Sequence, residues 1–531
     1  MRLWTLPALA IAALTLAPLG VVAASFLTPS GEWGHLSRYV LPEVTANTVW
    51  LVVVVGLASL VLGAVAGWLT SVCEFPGRRF FSWALLLPLA MPGYVIAFAL
   101  SGFFAYSAPL PSTLRDLGLA LPDPSAGVAA ACCLSLTLYP YVYLLARQAF
   151  RTQGIASLEV AQSLGMSRLQ GFRRVALPLA RPWLAAGVAL VCMDTMADFG
   201  TVKVFNFDTY TTAIYGAWFE LFSLSAALQM SVLLMLLVVV ALSLERWARG
   251  SARYATKGRM QGSKRIALRG WHSAAATAFC AVVFTFAFAL PAGQLLVWGV
   301  SSLDGEWGAR YFEYFRASLV LASLAAGMVT VLGLALGYSE RRAPGRVTAA
   351  SARIATLGYA LPGTVLAVAF FVVVAGLGHA LTSVARWFTP GVTITLTGTL
   401  AVMLLAYAAR FMAVAYGPLG SAFERITPRI DDAARGLGAT GVRLLTRVHI
   451  PILRGGIATA ALLVFVDVMK ELPITLITRP FNWDTLAVRV FNMTVEGEWE
   501  RAAIPAIAIV CAGLVPVLWL HRRTGDDAGG A

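Results

Sequence analysis

The sequence predicts an all-α integral membrane protein with about twelve transmembrane helices in two tandem six-helix repeats. Three observations carry that expectation. Hydrophobic residues make up 59% of the 531 and charged residues only 12%, against about 25% charged in soluble domains, so lipid is the main solvent. Twelve stretches are apolar over the roughly 20 residues needed to cross a bilayer. The stretch 154–178 also returns at 427–451, each residue 273 positions after its counterpart and without a gap.

Taken in order, the spans read as 4–27, 47–72, 82–106, 126–147, 183–204, 227–245, 273–300, 317–339, 353–378, 394–416, 456–477 and 503–520. The first has a longer apolar run than a signal peptide and only Arg2 ahead of it, so it reads as a retained helix. Residues 1–245 form the first repeat and 271–521 the second. Between them lies a basic linker, 246–270, and 522–531 is a short tail.

The duplication reaches well beyond the central stretch. Thr48 and Ser318 open matching spans, Leu62-Gly63 with Gly67 matches Leu332-Gly333 with Gly337, and Pro92-Gly93 matches Pro362-Gly363, all 270 residues apart. Further on, Phe205-Asn206-Phe207-Asp208-Thr209 matches Phe481-Asn482-Trp483-Asp484-Thr485. Two parallel units in one chain predict a pore along a pseudo-twofold interface.

The net charge of +14 does not point to nucleic acid. With the N-terminus inside, about thirty of the 40 Lys and Arg fall on inner segments, among them Arg78, Arg79, Arg246 to Arg269 and Arg410 to Arg454. That is the positive-inside bias, and it puts both repeated loops in the cytoplasm. The six cysteines lie in or beside apolar spans without metal-ligand spacing and read as packing residues. Tyr139, Tyr141 and Tyr143 around Pro140 read as interfacial anchors, with a ferric-ion ligand role as the sharper alternative.

Each repeated loop reads as a short helix, a turn and a second short helix. Gly154 and Thr427 stand at the first N-cap, with Pro428 at N1 in the second copy. Gly165 and Gly438 end that helix in a left-handed conformation, and Ser167 and Thr440 cap the next. In sequence, Glu159-Val160-Ala161, Gly165 and Val175-Ala176-Leu177-Pro178 correspond to Asp432-Ala433-Ala434, Gly438 and Val448-His449-Ile450-Pro451.

That pattern resembles the EAA motif of bacterial ABC importer permeases of the type I, binding-protein-dependent class. The resemblance implies that both loops are cytoplasmic and dock into ATPase subunits. Glu159, Ala161, Gly165, Asp432, Ala434 and Gly438 would be the coupling residues, small enough at alanine and glycine for close backbone approach. An acidic residue near the helix N-terminus is favoured by the dipole.

Ionisable groups inside spans mark a pathway or a structural pair. Asp194 and Asp198 are four apart, hence expected on one helix face. Asp467 and Glu471 repeat that spacing. These four form the candidate translocation path, an oxygen-lined conduit suited to a hard cation. The bland alternative is pairing with Lys203, Lys470 or nearby backbone.

Two later stretches narrow the resemblance. Met196-Ala197-Asp198-Phe199-Gly200-Thr201-Val202 and Lys470-Glu471-Leu472-Pro473, with the segments after them, are similar to the two halves of fused ferric-iron permeases. This implies transport of Fe3+ from a periplasmic or lipid-anchored binding protein into the cytoplasm. Two copies of a separate ABC ATPase subunit would power it across the bacterial inner membrane. On that reading the chain is no enzyme and binds no cofactor itself, ATP residing on the partner. It has no Walker-type Gly-x-x-x-x-Gly-Lys-Ser/Thr. Fused thiamine permeases share the plan, and a gradient-driven secondary transporter is the alternative of another class.

Overall fold

The computed structural model describes residues 4–27, 31–106, 108–119, 124–151, 159, 161–249, 265–302, 309–389 and 391–526. Among them, 11 helices are long and apolar enough to cross a membrane, or 12 when the bent pair Arg78–Ala90 and Gly93–Phe103 is one span. The protein is a multi-pass membrane protein.

Several spans differ from the hydropathy reading, and proline is the usual reason. The stretch expected as one helix over 82–106 is two pieces meeting at 99°. Pro92 stands in an extended conformation there and Gly93 opens the second piece. A residue in that conformation breaks the helix, and the proline ring also excludes α geometry from the residue before it. The same break recurs at Pro362-Gly363, so the span expected at 353–378 is instead Gly363–Ala385. A short 3-10 turn precedes each break, Leu87–Ala90 and Leu357–Ala360.

The spans expected at 183–204 and 456–477 begin and end earlier, as Phe172–Ala197 and Gly441–Met469. Each contains a π-helical turn, Phe172–Ala176 or Leu445–His449, immediately before a Leu-Pro or Ile-Pro pair. Two more such turns, Leu36–Val40 and Thr285–Ala289, also stand directly before Leu-Pro. Proline has no N–H and its ring collides with the carbonyl four residues back. A π-turn widens the helix at that point and removes the collision.

The chain groups into two compact units. One holds Met1–Trp33, Ile214–Val232 and Trp307–Arg489, the other Gly34–Ala213, Leu233–Glu306 and Val490–Ala531. In the first unit, helix Thr5–Ser25 packs on Arg346–Thr356, Ala309–Arg342 and Gly363–Ala385. Ala8 and Ile11 share an apolar cluster there with Leu336, Ala352, Ala355 and Met412. Thr15 Oγ1 donates to the Ala355 carbonyl.

In the second unit, Leu41–Val72 packs along Ala126–Ala149. A Cβ at Gly63 would stand 2.6 Å from Val142 Cβ, and one at Gly67 would stand 2.7 Å from Ala146 Cβ. The Leu-Gly…Gly pattern thus lets two helix backbones meet closely, the usual device where lipid supplies no hydrophobic drive. The counterparts Gly333 and Gly337, within the first unit, instead leave room for side-chain ends, Leu419 Cδ1 and the Phe423 ring. The linker's last residues are ordered: Ile266-Ala267 pair in parallel with Cys73-Glu74.

Candidate coupling loops and membrane carboxylates

The two loops close with the same backbone geometry. In the first, Gly165 has φ +81°, its N–H donates to Gln162 O, and Met166 N–H donates to Ala161 O. In the second, Gly438 has φ +80°, its N–H donates to Arg435 O, and Ala439 N–H donates to Ala434 O. This is a Schellman closure, in which glycine supplies the left-handed residue and the alanine of the acidic-x-Ala group supplies the carbonyl bound by the residue after that glycine. Ala161 and Ala434 are buried.

Close approach is not what selects these glycines within the chain: nothing lies within 4 Å of a Cβ built on either. Their φ does. Glu159 is exposed at the first loop. In the second, Asp432 lies on the helix Pro428–Gly436 and pairs loosely with Arg435, at 3.6 Å.

Capping follows the sequence unevenly. Gln170 N–H donates to Ser167 Oγ (3.3 Å) while Ser167 N–H donates to Gln170 Oε1 (3.0 Å), a reciprocal capping box. Thr427 and Thr440 occupy N-cap positions with extended backbone, yet neither side chain makes a cap bond. Gly154 and Val160 lie outside the described residues.

A feature missed in the sequence fixes the second loop. Arg341 Nη2 lies 2.8 Å from Asp431 Oδ2, and His449 Nε2 lies 2.7 Å from Asp431 Oδ1. His449 is fully buried, with its ring edge-on to Tyr338. Burial pushes the Asp431 carboxyl up, but the bonds from His449 and Arg341 outweigh it and hold the group below the usual carboxylate range. Counterparts 273 or 270 residues earlier are Leu158, Ala176 and Ser71, so the first loop lacks this ionic tie. There, Trp68 packs against Phe172 and Phe150.

The four carboxylates are not two helix-face pairs. Helix Leu177–Ala197 ends before Asp198, whose backbone is extended, and Ile450–Met469 ends before Glu471. Only Asp194 and Asp467 remain helical. Asp198 accepts from Thr201 Oγ1 (2.9 Å) and Val202 N–H (3.1 Å). Glu471 accepts from Ile474 N–H (3.0 Å), Thr475 N–H (3.1 Å) and Thr475 Oγ1 (3.2 Å). Each therefore caps the short helix that follows it.

Each capping carboxylate also lies against the glycine of a helix break. A Cβ at Gly93 would stand 3.4 Å from Asp198 Oδ2, and one at Gly363 would stand 2.9 Å from Glu471 Oε1 and 2.8 Å from Arg410 Nη1. Arg410, counted among the inner-loop charges from its sequence position, instead sits midway along Leu400–Phe423 and donates to the Leu361 carbonyl (3.2 Å). Asp467 pairs with Lys470 at 2.9 Å. No group of three or more His, Cys, Asp or Glu among the described residues is placed to hold a metal ion.

Tyr139 and Tyr143 are neither interfacial anchors nor exposed oxygen ligands. Both are fully buried, and their hydroxyls donate to the carbonyls of Leu85 and Ser82, buttressing the bent pair.

A family model described as the inner membrane component of binding-protein-dependent transport systems matches residues 59–253. Over those residues the chain is similar to that permease family. At full length the chain is 23% identical to the Fe(3+)-transport system permease protein FbpB 2 of Haemophilus influenzae, over 92% of this chain and 91% of that one. It is 21% identical to the ferric transport system permease protein FbpB of Actinobacillus pleuropneumoniae, over 92% of this chain and 72% of that one. Over a shorter stretch, 27% of this chain and 50% of the relative, it is 32% identical to the sulfate transport system permease protein CysT of Salmonella typhimurium.

Proposed function

We propose that this permease carries Fe3+ inward for an ABC importer. It would receive the ion from a periplasmic or lipid-anchored binding protein and be driven by two copies of a separate ATPase subunit. The observation that carries the reading is similarity to two ferric permeases over 92% of this chain, together with two loops closed by the same Schellman turn. The loops face the cytoplasm, a reading that the positive-inside bias supports. The architecture is two tandem repeats, 1–245 and 271–521. The chain itself performs no chemistry, and ATP sits on the partner.

The ATPase grips the helices bearing Glu159, Ala161 and Gly165 in one loop and Asp432, Ala434 and Gly438 in the other. Each loop runs into a long helix, Phe172–Ala197 or Gly441–Met469, whose far end carries a candidate path residue, Asp194 or Asp467. Beyond it stand Asp198 and Glu471, which hold the breaks at Gly93 and Gly363. Movement of a loop is thus delivered along one rigid element to the break. On this account Asp198 and Glu471 act through the turns they cap.

The test is uptake in proteoliposomes holding the chain with its ATPase subunit, offered labelled ferric iron, thiamine or sulfate, each with its binding protein. ATP-dependent iron accumulation is the expected result. Uptake of thiamine or sulfate alone would replace the cargo and keep the machine. Iron uptake driven by an ion gradient without ATP would overturn the ABC reading.

A further inference from the structure

Four arginines from distant parts of the second unit gather together, two of them on one carboxylate. Arg78 Nε lies 2.9 Å from Glu74 Oε2, and Arg265 Nη1 lies 3.5 Å from the same oxygen. Arg147 Nη1 donates to the Ser82 carbonyl (2.9 Å), on the helix that begins at Arg78. Arg151 follows one turn after Arg147 and is exposed. Partial desolvation, then the neighbouring guanidiniums Arg147, Arg265 and Arg78, lower the Arg151 pKa; partial desolvation, then Arg78, does the same at Arg265.

Two of these guanidiniums share one half-exposed glutamate, and Arg147 and Arg151 add positive charge beside them. The linker sequence 250–264 contains no Asp or Glu and adds Arg253, Lys257, Arg259 and Lys264, and the first acidic residue after Arg151 is Glu159. Arg147 Nε is buried without a hydrogen-bond partner among the described residues. An unfilled donor on a crowded cation is costly unless an anion answers it.

The surroundings select the kind of anion. Phe80, two residues from Arg78, is 43% exposed, and its ring stands edge-on to Phe284 and Trp83 at 5.4 and 5.5 Å. Trp271, at the start of the neighbouring span, is 73% exposed. Aromatic side chains exposed at the end of a span sit at headgroup depth, and apolar rings beside them suit acyl chains. Guanidinium forks match phosphate oxygens two by two.

We propose that Arg78, Arg147, Arg151 and Arg265 form a binding site for the phosphate of an anionic phospholipid, in the leaflet on the side of the first loop. The acyl chains lie along Phe80 and Phe284. The site rests on the chain's being a membrane protein and not on its cargo, so it stands or falls apart from the iron reading. Because Arg147 and Arg151 lead directly into the first loop, the lipid ties that loop's root to the bilayer surface.

Native mass spectrometry of the detergent-purified full chain tests it, with phosphatidylglycerol, phosphatidylcholine or inorganic phosphate added and thermal melting read in parallel. Phosphatidylglycerol is expected to be retained as a discrete adduct and to raise the melting temperature, and phosphatidylcholine to do neither. The Arg147→Gln/Arg151→Gln chain should lose that adduct at least fivefold. Arg265→Gln, altered at the ordered end of the linker, gives the same readout with little demand on folding. Equal retention of both lipids, or unchanged retention in both variants, overturns the site. Stabilisation by inorganic phosphate with none by phosphatidylglycerol overturns the lipid as occupant.

Discussion

His449 Nε2 stands 2.7 Å from Asp431 Oδ1, and with Arg341 on the other oxygen this fastens the second loop to two long helices at once. Asp431→Asn should loosen the loop by about 2 kcal/mol, the scale of hydrogen bonds to a charged group. Hydrogen exchange over Pro428–Gly436 would rise in that variant, while exchange in the first loop would stay unchanged. Equal protection before and after the substitution would remove the tie from the mechanism.

The same contact sets a pH dependence. The folded Asp431 carboxyl titrates below its ordinary value, so its contribution is complete above the unfolded value of about 3.9. That contribution is lost as pH falls through the lower, folded value. Loop protection measured downward from pH 6 should hold to about pH 4 and then fall. His449→Ala should abolish the step.

Gly165 and Gly438 answer to backbone handedness. Alanine at either should cost about 1–2 kcal/mol, the penalty for a left-handed non-glycine residue, and reduce ATP-driven transport. Gly165→Pro with Gly438→Pro should abolish transport while membrane insertion continues. Normal uptake by the double proline variant would contradict the transmission of loop movement along the long helices.

Arg410 and Glu471 flank one glycine inside the membrane. Arg410→Leu leaves a buried carboxylate without its cation, a loss on the order of 3–5 kcal/mol, read as a lower yield of folded protein. Adding Glu471→Gln should recover most of that yield, since the amide oxygen can still accept a cap bond. The first repeat has Thr137 at the place of Arg410, 273 residues earlier.

Thr48 and Ser318 show how a sequence match becomes a structural one. The Tyr210 N–H donates to Thr48 Oγ1 (3.2 Å) and the Leu486 N–H donates to Ser318 Oγ (2.7 Å). Thr48→Val or Ser318→Ala strands a buried backbone donor and should cost about 1–3 kcal/mol. Thermal melting of the purified chain measures it.

Much of the repeat was legible because it is written in residues with strict backbone demands. Asn206 and Asn482 both take positive φ, at 50° and 63°, as do the paired loop glycines, and the Pro-Gly pairs both break a helix. Hydropathy came within one of the number of spans, 11 or 12 among the described residues, but misplaced those that run into arginine-rich loops, since a helix continues past the apolar window that reveals it. The i, i+4 inference for Asp198 and Glu471 failed where the helix stopped short, one or two residues before each carboxylate. The Arg341–Asp431–His449 contact joins three separate elements, and no local spacing announces such a meeting. Arg410 looked like loop charge because its carbonyl partner, Leu361, lies 49 positions away.

The π-turns at Phe172–Ala176 and Leu445–His449 hold one more residue than an α-turn of equal rise. Each loop is therefore joined to its long helix through a single residue of slack. Drawing that residue into regular α geometry would rotate everything on the loop side by about 100° and advance it by about 1.5 Å. Proline at 178 and 451 opposes this, so the slack is kept in place and the two loops hold their angular phase against the membrane.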